Sequence, residues 1–205
     1  MFGSDPVRST PPGPGRFLLW VDAVGGYLVS AADVVTIGQP EPGPGVEIPI
    51  QGDLSGRHAR ICRDGEGYVI EPRRPVVVGK RFVHDRTNLV DGTILELGSV
   101  RLRFRIPHPL SASARLEILG GHRLLPAGDA VLLMAESLVL GPEPTSHVVC
   151  PNWSGRLVLF RQEGQLCCRS EGEFEVDGVT RRNRGSLTTD SRIQGEDFSL
   201  SLESV

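Results

Sequence analysis

Ser55 and His58 stand three positions apart in a short polar segment, and Asp53 lies two residues before Ser55. A serine, a histidine and a carboxylate are the residue types of a hydrolytic triad. On one short loop, a serine and a histidine this close rarely reach the geometry in which the imidazole removes the hydroxyl proton, and no separate third group is identifiable. The sequence therefore predicts that the chain is not an enzyme, and Ser55 and His58 become candidates for binding.

The other reactive side chains do not form a recognisable site. The histidines lack the paired spacing of metal ligands, and the cysteines show no Cys-x-x-Cys pattern. Glycine-rich stretches never precede a Lys-Ser/Thr pair, so no nucleotide-binding loop is predicted. We therefore expect no metal, no cofactor, and reduced, partly buried cysteines at Cys62, Cys150, Cys167 and Cys168.

Composition narrows the class of partner. The net charge of −3 argues against a general nucleic-acid binder. No apolar run approaches the ~18 residues of a membrane span, and Asp22 interrupts the early apolar stretch that would otherwise suggest a signal peptide. We expect a cytoplasmic protein whose partners are proteins rather than nucleic acid or membrane.

The pattern of apolar residues predicts strands. The segment 100–106 alternates between apolar residues and arginines, as a half-buried strand does. Segments 17–21 and 27–29 flank Gly25-Gly26, which predicts a two-residue hairpin turn. No stretch keeps a helical period, and 16 prolines with 25 glycines interrupt the chain at short intervals. The expected fold is an all-β antiparallel sandwich.

The same motifs occur twice in the same order. The distance from Ser55 to Gly79 equals the distance from Ser154 to Gly178. Each series has a strand that ends in glycine, then a Ser-Gly-Arg segment, then a Val-x-Gly turn. In the first series these are Gly38, 55–57 and 77–79. In the second series they are Gly141, 154–156 and 176–178. Such self-similarity indicates duplication of a small domain. We predict tandem domains at 16–108 and 112–205, after a Pro/Gly-rich disordered leader at 1–15.

The first unit resembles the forkhead-associated (FHA) domain. The resemblance covers residues 35 to 106 and rests on an ordered set of motifs. These are Ile37-Gly38, the Ser-x-x-His spacing of Ser55 and His58, the segment 67–71, Gly79 and the segment 89–98. It implies a sandwich of two twisted sheets that binds phosphothreonine peptides through loops at one end. The second unit is similar only through its alignment with the first, and we interpret it as a degenerate FHA-like copy.

The resemblance also implies roles for individual residues. Ser55 would donate a hydrogen bond to the phosphate, and His58 would hold the loop from behind; alternatively, His58 only satisfies buried backbone groups. Gln39 stands where the family usually has an arginine, and a neutral amide cannot supply a charge-assisted fork. The family's Asn-Gly-Thr before the Gly79 position is absent, and 73–78 stands there instead.

Three arginines offer a substitute for the missing charge. Arg57, Arg73 and Arg74 would come to the same end of the sandwich in the family topology and could form a relocated clamp. The alternative is that Arg73 and Arg74 form a solvated turn before Pro75. In the second unit Pro142 follows Gly141 and Leu157 replaces the histidine, so we expect that copy not to bind phosphothreonine in the usual way.

Two functions remain open from the sequence. The first is a non-enzymatic signalling adaptor that recognises phosphothreonine-containing partners through its first domain. The second is an FHA-like scaffold that has lost phosphopeptide recognition and associates independently of phosphorylation. Gln39 and the absent asparagine favour the scaffold, whereas the resemblance itself favours the adaptor.

Overall fold

The computed structural model describes residues 15–41, 43, 45–65, 67–108 and 110–205, so the expected leader lies, apart from Gly15, outside the described residues. Every regular element in these ranges is a β-strand. Every strand in these ranges has six residues or fewer, in keeping with the frequent prolines and glycines. The predicted all-β class is confirmed.

Eleven strands come from the first half of the chain, 15–108. They are β1 Arg16–Val21, β2 Gly25–Ser30, β3 Val34–Gly38, β4 Ile48–Gln51, β5 Ala59–Asp64, β6 Gly67–Pro72, β7 Val76–Val78, β8 Arg81–Val83, β9 Thr87–Leu89, β10 Ile94–Leu97 and β11 Val100–Arg105.

Twelve strands come from the second half, 110–205. They are β12 Ala114–Leu119, β13 Arg123–Leu124, β14 Ala130–Leu133, β15 Ser137–Gly141, β16 Val148–Val149, β17 Leu157–Gln162, β18 Gln165–Ser170, β19 Glu173–Val176, β20 Val179–Arg182, β21 Gly185–Leu187, β22 Arg192–Gln194 and β23 Ser199–Ser204.

The strands form one large sheet and two smaller ones. The twelve-stranded sheet has the order β20-β19-β22-β23-β1-β2-β14-β12-β11-β10-β7-β8. The six-stranded sheet has the order β13-β4-β3-β5-β6-β9, and the five-stranded sheet β16-β15-β17-β18-β21. Most pairs are antiparallel, and the large sheet forms a sandwich with each of the smaller sheets.

The two halves exchange strands within the large sheet. β1, from the first half, pairs with β23 at the end of the second half. β12, from the second half, pairs with β11 of the first half. The connection between β11 and β12 therefore joins neighbouring antiparallel strands of a single sheet. The division into tandem domains at 16–108 and 112–205 stays a prediction.

The exchange is centred on β2 and β14, which pair in parallel. Tyr27 lies opposite Ala130 and Leu28 opposite Val131. Each of these pairs has the same separation in sequence as Gly38 and Gly141, the glycines that end β3 and β15. Equivalent positions of the two motif series therefore face each other, as a local two-fold axis along the strands would place them.

The central strands are buried on both faces because a core lies on each side of them. We call the core that contains Ile37, Ile61, Ile70 and Phe104 the first core, and the core that contains Leu138, Leu140, Leu157 and Leu159 the second core. Successive side chains of a strand point to opposite faces. Leu18 accordingly joins the first core, whereas Phe17 and Leu19 join the second.

The early hairpin differs from the prediction. Gly25 and Gly26 belong to strand β2, and the turn is formed by 22–24, with Ala23 in the left-handed region at φ 59°. A Cβ at Gly26 would overlap the Trp20 ring on β1. The prediction of a Gly-Gly turn was wrong. The glycine at position 26 leaves room for the neighbouring Trp20 ring and does not form the turn.

Candidate functional site

Three loops of the first half meet at one end of the six-stranded sheet. Strand β3 ends where β5 begins, since Ile37 lies opposite Ala59, and β6 ends at the same level, since Ala59 lies opposite Pro72. Loops 39–47, 52–58 and 73–75 are thereby brought to the same edge. We refer to these three loops as the loop end.

Backbone hydrogen bonds join the three loops. The Gln39 N–H donates to the Ser55 carbonyl over 3.2 Å, and the N–H groups of Arg73 and Arg74 both donate to the His58 carbonyl over 3.0 Å. The structure therefore brings together the backbone of all five of these predicted site residues.

His58 connects two of the loops through its side chain. The residue is 5% exposed. Its Nδ1 atom accepts the Ser55 backbone N–H over 3.1 Å, and its Nε2 atom lies 3.1 Å from the Pro75 carbonyl oxygen. Because the first partner donates and the second accepts, the neutral imidazole with the proton on Nε2 satisfies both bonds.

The hydroxyl of Ser55 is the donor left uncommitted. The side chain is half-buried, and within the described part of the chain its Oγ atom makes no hydrogen bond. The backbone N–H of Ser55 is already bound to His58. Any hydrogen bond from this residue to a ligand must therefore come from the hydroxyl.

Gln39 is exposed, but its amide braces the loop end. Its Nε2 atom donates to the Gly52 carbonyl oxygen over 3.0 Å. This bond connects loop 39–47 to loop 52–58. A neutral amide engaged in this way supplies no positive charge for an anion.

Close backbone approach explains the glycines at the loop end. A Cβ at Gly38 would overlap the Gly56 carbonyl oxygen, so β3 can end against loop 52–58 only with glycine at this position. A Cβ at Gly56 would in turn overlap the carboxylate of Glu41. The Glu41 carboxylate therefore lies beside the Ser-Gly-Arg segment and adds a negative charge there.

The arginines lie on two of the three loops. Arg57 is exposed and places its guanidinium group against Gly45. Arg73 and Arg74 are adjacent and exposed, and neither guanidinium group has an ion-pair or hydrogen-bond partner among the described residues. The acidic side chains of the loop end lie on the other two loops, so positive charge is concentrated on loop 73–75.

In the second half, the corresponding donors are already paired. The Ser154 backbone N–H donates to the Asp197 carboxylate, and hydrogen bonds from the Ser154 hydroxyl and N–H lower the pKa of Asp197. Arg156 binds Glu143 through Nε at 2.9 Å and Nη2 at 2.7 Å, which lowers the pKa of Glu143. Leu157 is fully buried at the position equivalent to His58.

Sequence reasoning missed one contributor to the loop end. Strand β13 of the second half pairs with β4, placing Arg123 opposite Gln51 and Leu124 opposite Ile50. His122, next to this strand, lies within hydrogen-bonding distance of Gln51 and Ser99. No local motif marks a contact between residues so far apart in sequence.

The described ranges contain no group of three or more His, Cys, Asp or Glu side chains arranged to hold a metal ion. All four cysteines are free and buried, and burial raises the pKa of Cys150 to about 12 and of Cys168 to about 11. None of the elements described there is a helix of the length and hydropathy needed to cross a membrane.

Comparisons with known proteins give little further information. No family model matches the chain, and no curated protein matches it. A solved structure, the N-terminal FHA domain from EssC, a component of the bacterial Type VII secretion apparatus, is similar at 13% identity and a TM-score of 0.25. The match covers 91% of this chain and 92% of that chain. At this level of similarity it supports no conclusion about function.

Proposed function

We propose that the chain is a non-enzymatic protein–protein interaction module of the FHA type that binds phosphothreonine-containing partners through the loop end. The observation that carries the proposal is the position of Ser55 at the same end as Arg73 and Arg74. Among the residues that the structure describes, the Ser55 hydroxyl and these two guanidinium groups have no hydrogen-bond or ion-pair partner. The function is that of a signalling adaptor.

The donors at the loop end have the chemistry that a phosphorylated threonine requires. A phosphate monoester carries about −1.5 to −2 charges at neutral pH and offers three acceptor oxygens. Guanidinium and hydroxyl groups both bind such oxygens through charge-assisted hydrogen bonds, because the acceptor is ionised, and the guanidinium group adds a positive charge. Ser55 would supply the hydroxyl, and Arg73 and Arg74 would supply the charge that Gln39 lacks.

The loops are held in place before any ligand binds. His58 ties loop 52–58 to loop 73–75, and Gln39 ties loop 39–47 to loop 52–58. Ordering loops on binding costs free energy, and this cost is small when the loops are already fixed. Preorganisation therefore favours a recognition surface at this end over a passive turn.

A second candidate is a scaffold that binds partners regardless of phosphorylation. The Glu41 carboxylate beside Gly56 favours this alternative. A ligand phosphate bound by Ser55 would be repelled by this nearby negative charge. The engagement of the Gln39 amide with Gly52 favours it as well.

Titration of the full chain with a degenerate phosphothreonine peptide pool and the matching unphosphorylated pool separates the two candidates. Adaptor function predicts saturable binding of the phosphorylated pool only, and loss of that binding in Ser55→Ala. Ser154→Ala is the matched control, because that serine occupies the equivalent position in the second half and its hydroxyl and N–H are engaged by Asp197. Equal binding of both pools supports the scaffold, and binding of neither pool contradicts the adaptor.

A further inference from the structure

His122 lies in the second half, between β12 and β13, but its ring contacts the first half. Its Nδ1 atom is 3.2 Å from the carbonyl oxygen of Gln51, and its Nε2 atom is 2.9 Å from the carbonyl oxygen of Ser99. One imidazole thus spans the end of β4 and the turn between β10 and β11.

Both partners of this ring are acceptors. A backbone carbonyl oxygen cannot donate, so each ring nitrogen must carry a proton for both hydrogen bonds to form. A neutral imidazole has only one N–H and satisfies only one of the two carbonyls.

The two carbonyls belong to the segments that hold the Ser55 loop. The Ser99 Oγ atom accepts the Asp53 N–H over 3.0 Å, and the Ser99 N–H donates to the Asp53 carbonyl over 2.9 Å. Gln51 directly precedes Gly52, whose carbonyl accepts the N–H of Leu54 over 3.0 Å. Ser55 lies two residues after Asp53 on the same loop.

The position of His122 is itself fixed by strand pairing and packing. β13 adds an edge strand to the six-stranded sheet, and the Leu124 side chain is 1% exposed within the first core. The ring also packs closely on Gly52, where an added Cβ would lie 3.0 Å from the His122 Nδ1 atom. A larger residue at position 52 would clash with the Val100 side chain, 2.6 Å from the added Cβ, and would also crowd the imidazole.

We propose that His122 is a positioning residue for the loop that carries Ser55, so that the second half sets the geometry of the recognition surface on the first half. What this loop binds rests on the proposed function, but the bracing itself does not. In this arrangement the second half acts on the first half's site without contacting its ligand.

Hydrogen exchange on the full chain tests the bracing without any ligand. In His122→Ala, the amides of Asp53 and Ser55 should exchange roughly tenfold faster, because a brace of one to two hydrogen bonds is lost. Amides of Ile61 and Ile70 in the core strands should keep their protection. His122→Arg, which retains two cationic N–H donors, should recover part of the protection at Asp53, and His84→Ala on an exposed loop should change nothing.

A binding measurement completes the test. Affinity for the phosphothreonine pool should fall several-fold in His122→Ala while the unfolding midpoint stays close to wild type. If wild type binds no phosphopeptide, the proposed function fails, but the exchange measurement still decides the positioning role. Unchanged exchange at Asp53, or a uniform increase at every amide, overturns it.

Discussion

The Nδ1 atom of His58 accepts the backbone N–H of Ser55 over 3.1 Å, so the imidazole fixes the backbone of the half-buried Ser55. The opposite ring nitrogen donates to the Pro75 carbonyl. A single buried side chain therefore links the serine loop to the segment next to Arg73 and Arg74. The arrangement of both loops therefore depends on one residue.

Replacement of His58 by alanine should lower the free energy of unfolding by roughly 1–3 kcal/mol. The variant leaves the Ser55 N–H and the Pro75 carbonyl, both partly buried, without their partner. Denaturant unfolding followed by fluorescence measures the loss, with exposed His84→Ala as the control. Melts of His58→Ala that superimpose on wild type would contradict the bracing role.

The double variant Arg73→Ala/Arg74→Ala should weaken binding of sulfate or of the phosphothreonine pool by roughly 10- to 100-fold. Each lost charge-assisted hydrogen bond is worth about 1.5–3 kcal/mol, reduced here by exposure to solvent. Lys80→Ala/Arg81→Ala removes the same charge from two exposed residues, at the turn after β7 and at the start of β8, and should bind as wild type does. Equal binding by wild type and the Arg73/Arg74 variant, or none by either, rules out a relocated clamp.

Leu18→Ala and Leu19→Ala should each cost about 2–5 kcal/mol, but they should act on different halves of the molecule. Leu18 packs in the first core and Leu19 in the second, because adjacent side chains of β1 point to opposite faces. Hydrogen exchange should show loss of protection in β5 and β6 for Leu18→Ala. For Leu19→Ala the loss should appear in β15 and β17. The same pattern for both variants would contradict the strand exchange.

Stability should fall as the pH falls through the range from about 6.5 to 4, because of His147. Burial, together with the neighbouring His108, lowers the pKa of His147 from 6.5 to about 4, and the Nδ1 atom accepts the Val139 N–H. As the pH falls, the unfolded state is therefore protonated at His147 before the folded state is. The contribution of neutral His147 to stability is fully present only above pH 6.5.

The measurement for His147 is the unfolding free energy against pH. The slope due to this one group is at most about 1.4 kcal/mol per pH unit. His147→Asn keeps an acceptor near the Val139 N–H but does not titrate, so it should lack this component of the slope. Identical pH profiles for the variant and wild type above pH 4 would show that His147 is not the responsible group.

The sequence predicted the features that depend on neighbouring residues. Strand β11 was visible because Leu102 and Phe104 alternate with arginines, and both apolar side chains are buried. The Ser-x-x-His spacing likewise marked a local loop, since three residues suffice for the Ser55 N–H to reach the imidazole. Glycine was harder to interpret, because Gly26 is required by the ring of Trp20 on the paired strand and not by a turn.

Only the tertiary structure decided which strands lie beside β11 and β23. The hairpin that begins with β1 and the segment that begins with β12 carry similar apolar patterns, so either could in principle cover either edge. The choice depends on the parallel register of Leu28 with Val131 and on burial of both faces of the central strands. Strand register is set by such long-range packing. The bracing by His122 follows from the same choice, because it exists only where β13 reaches β4.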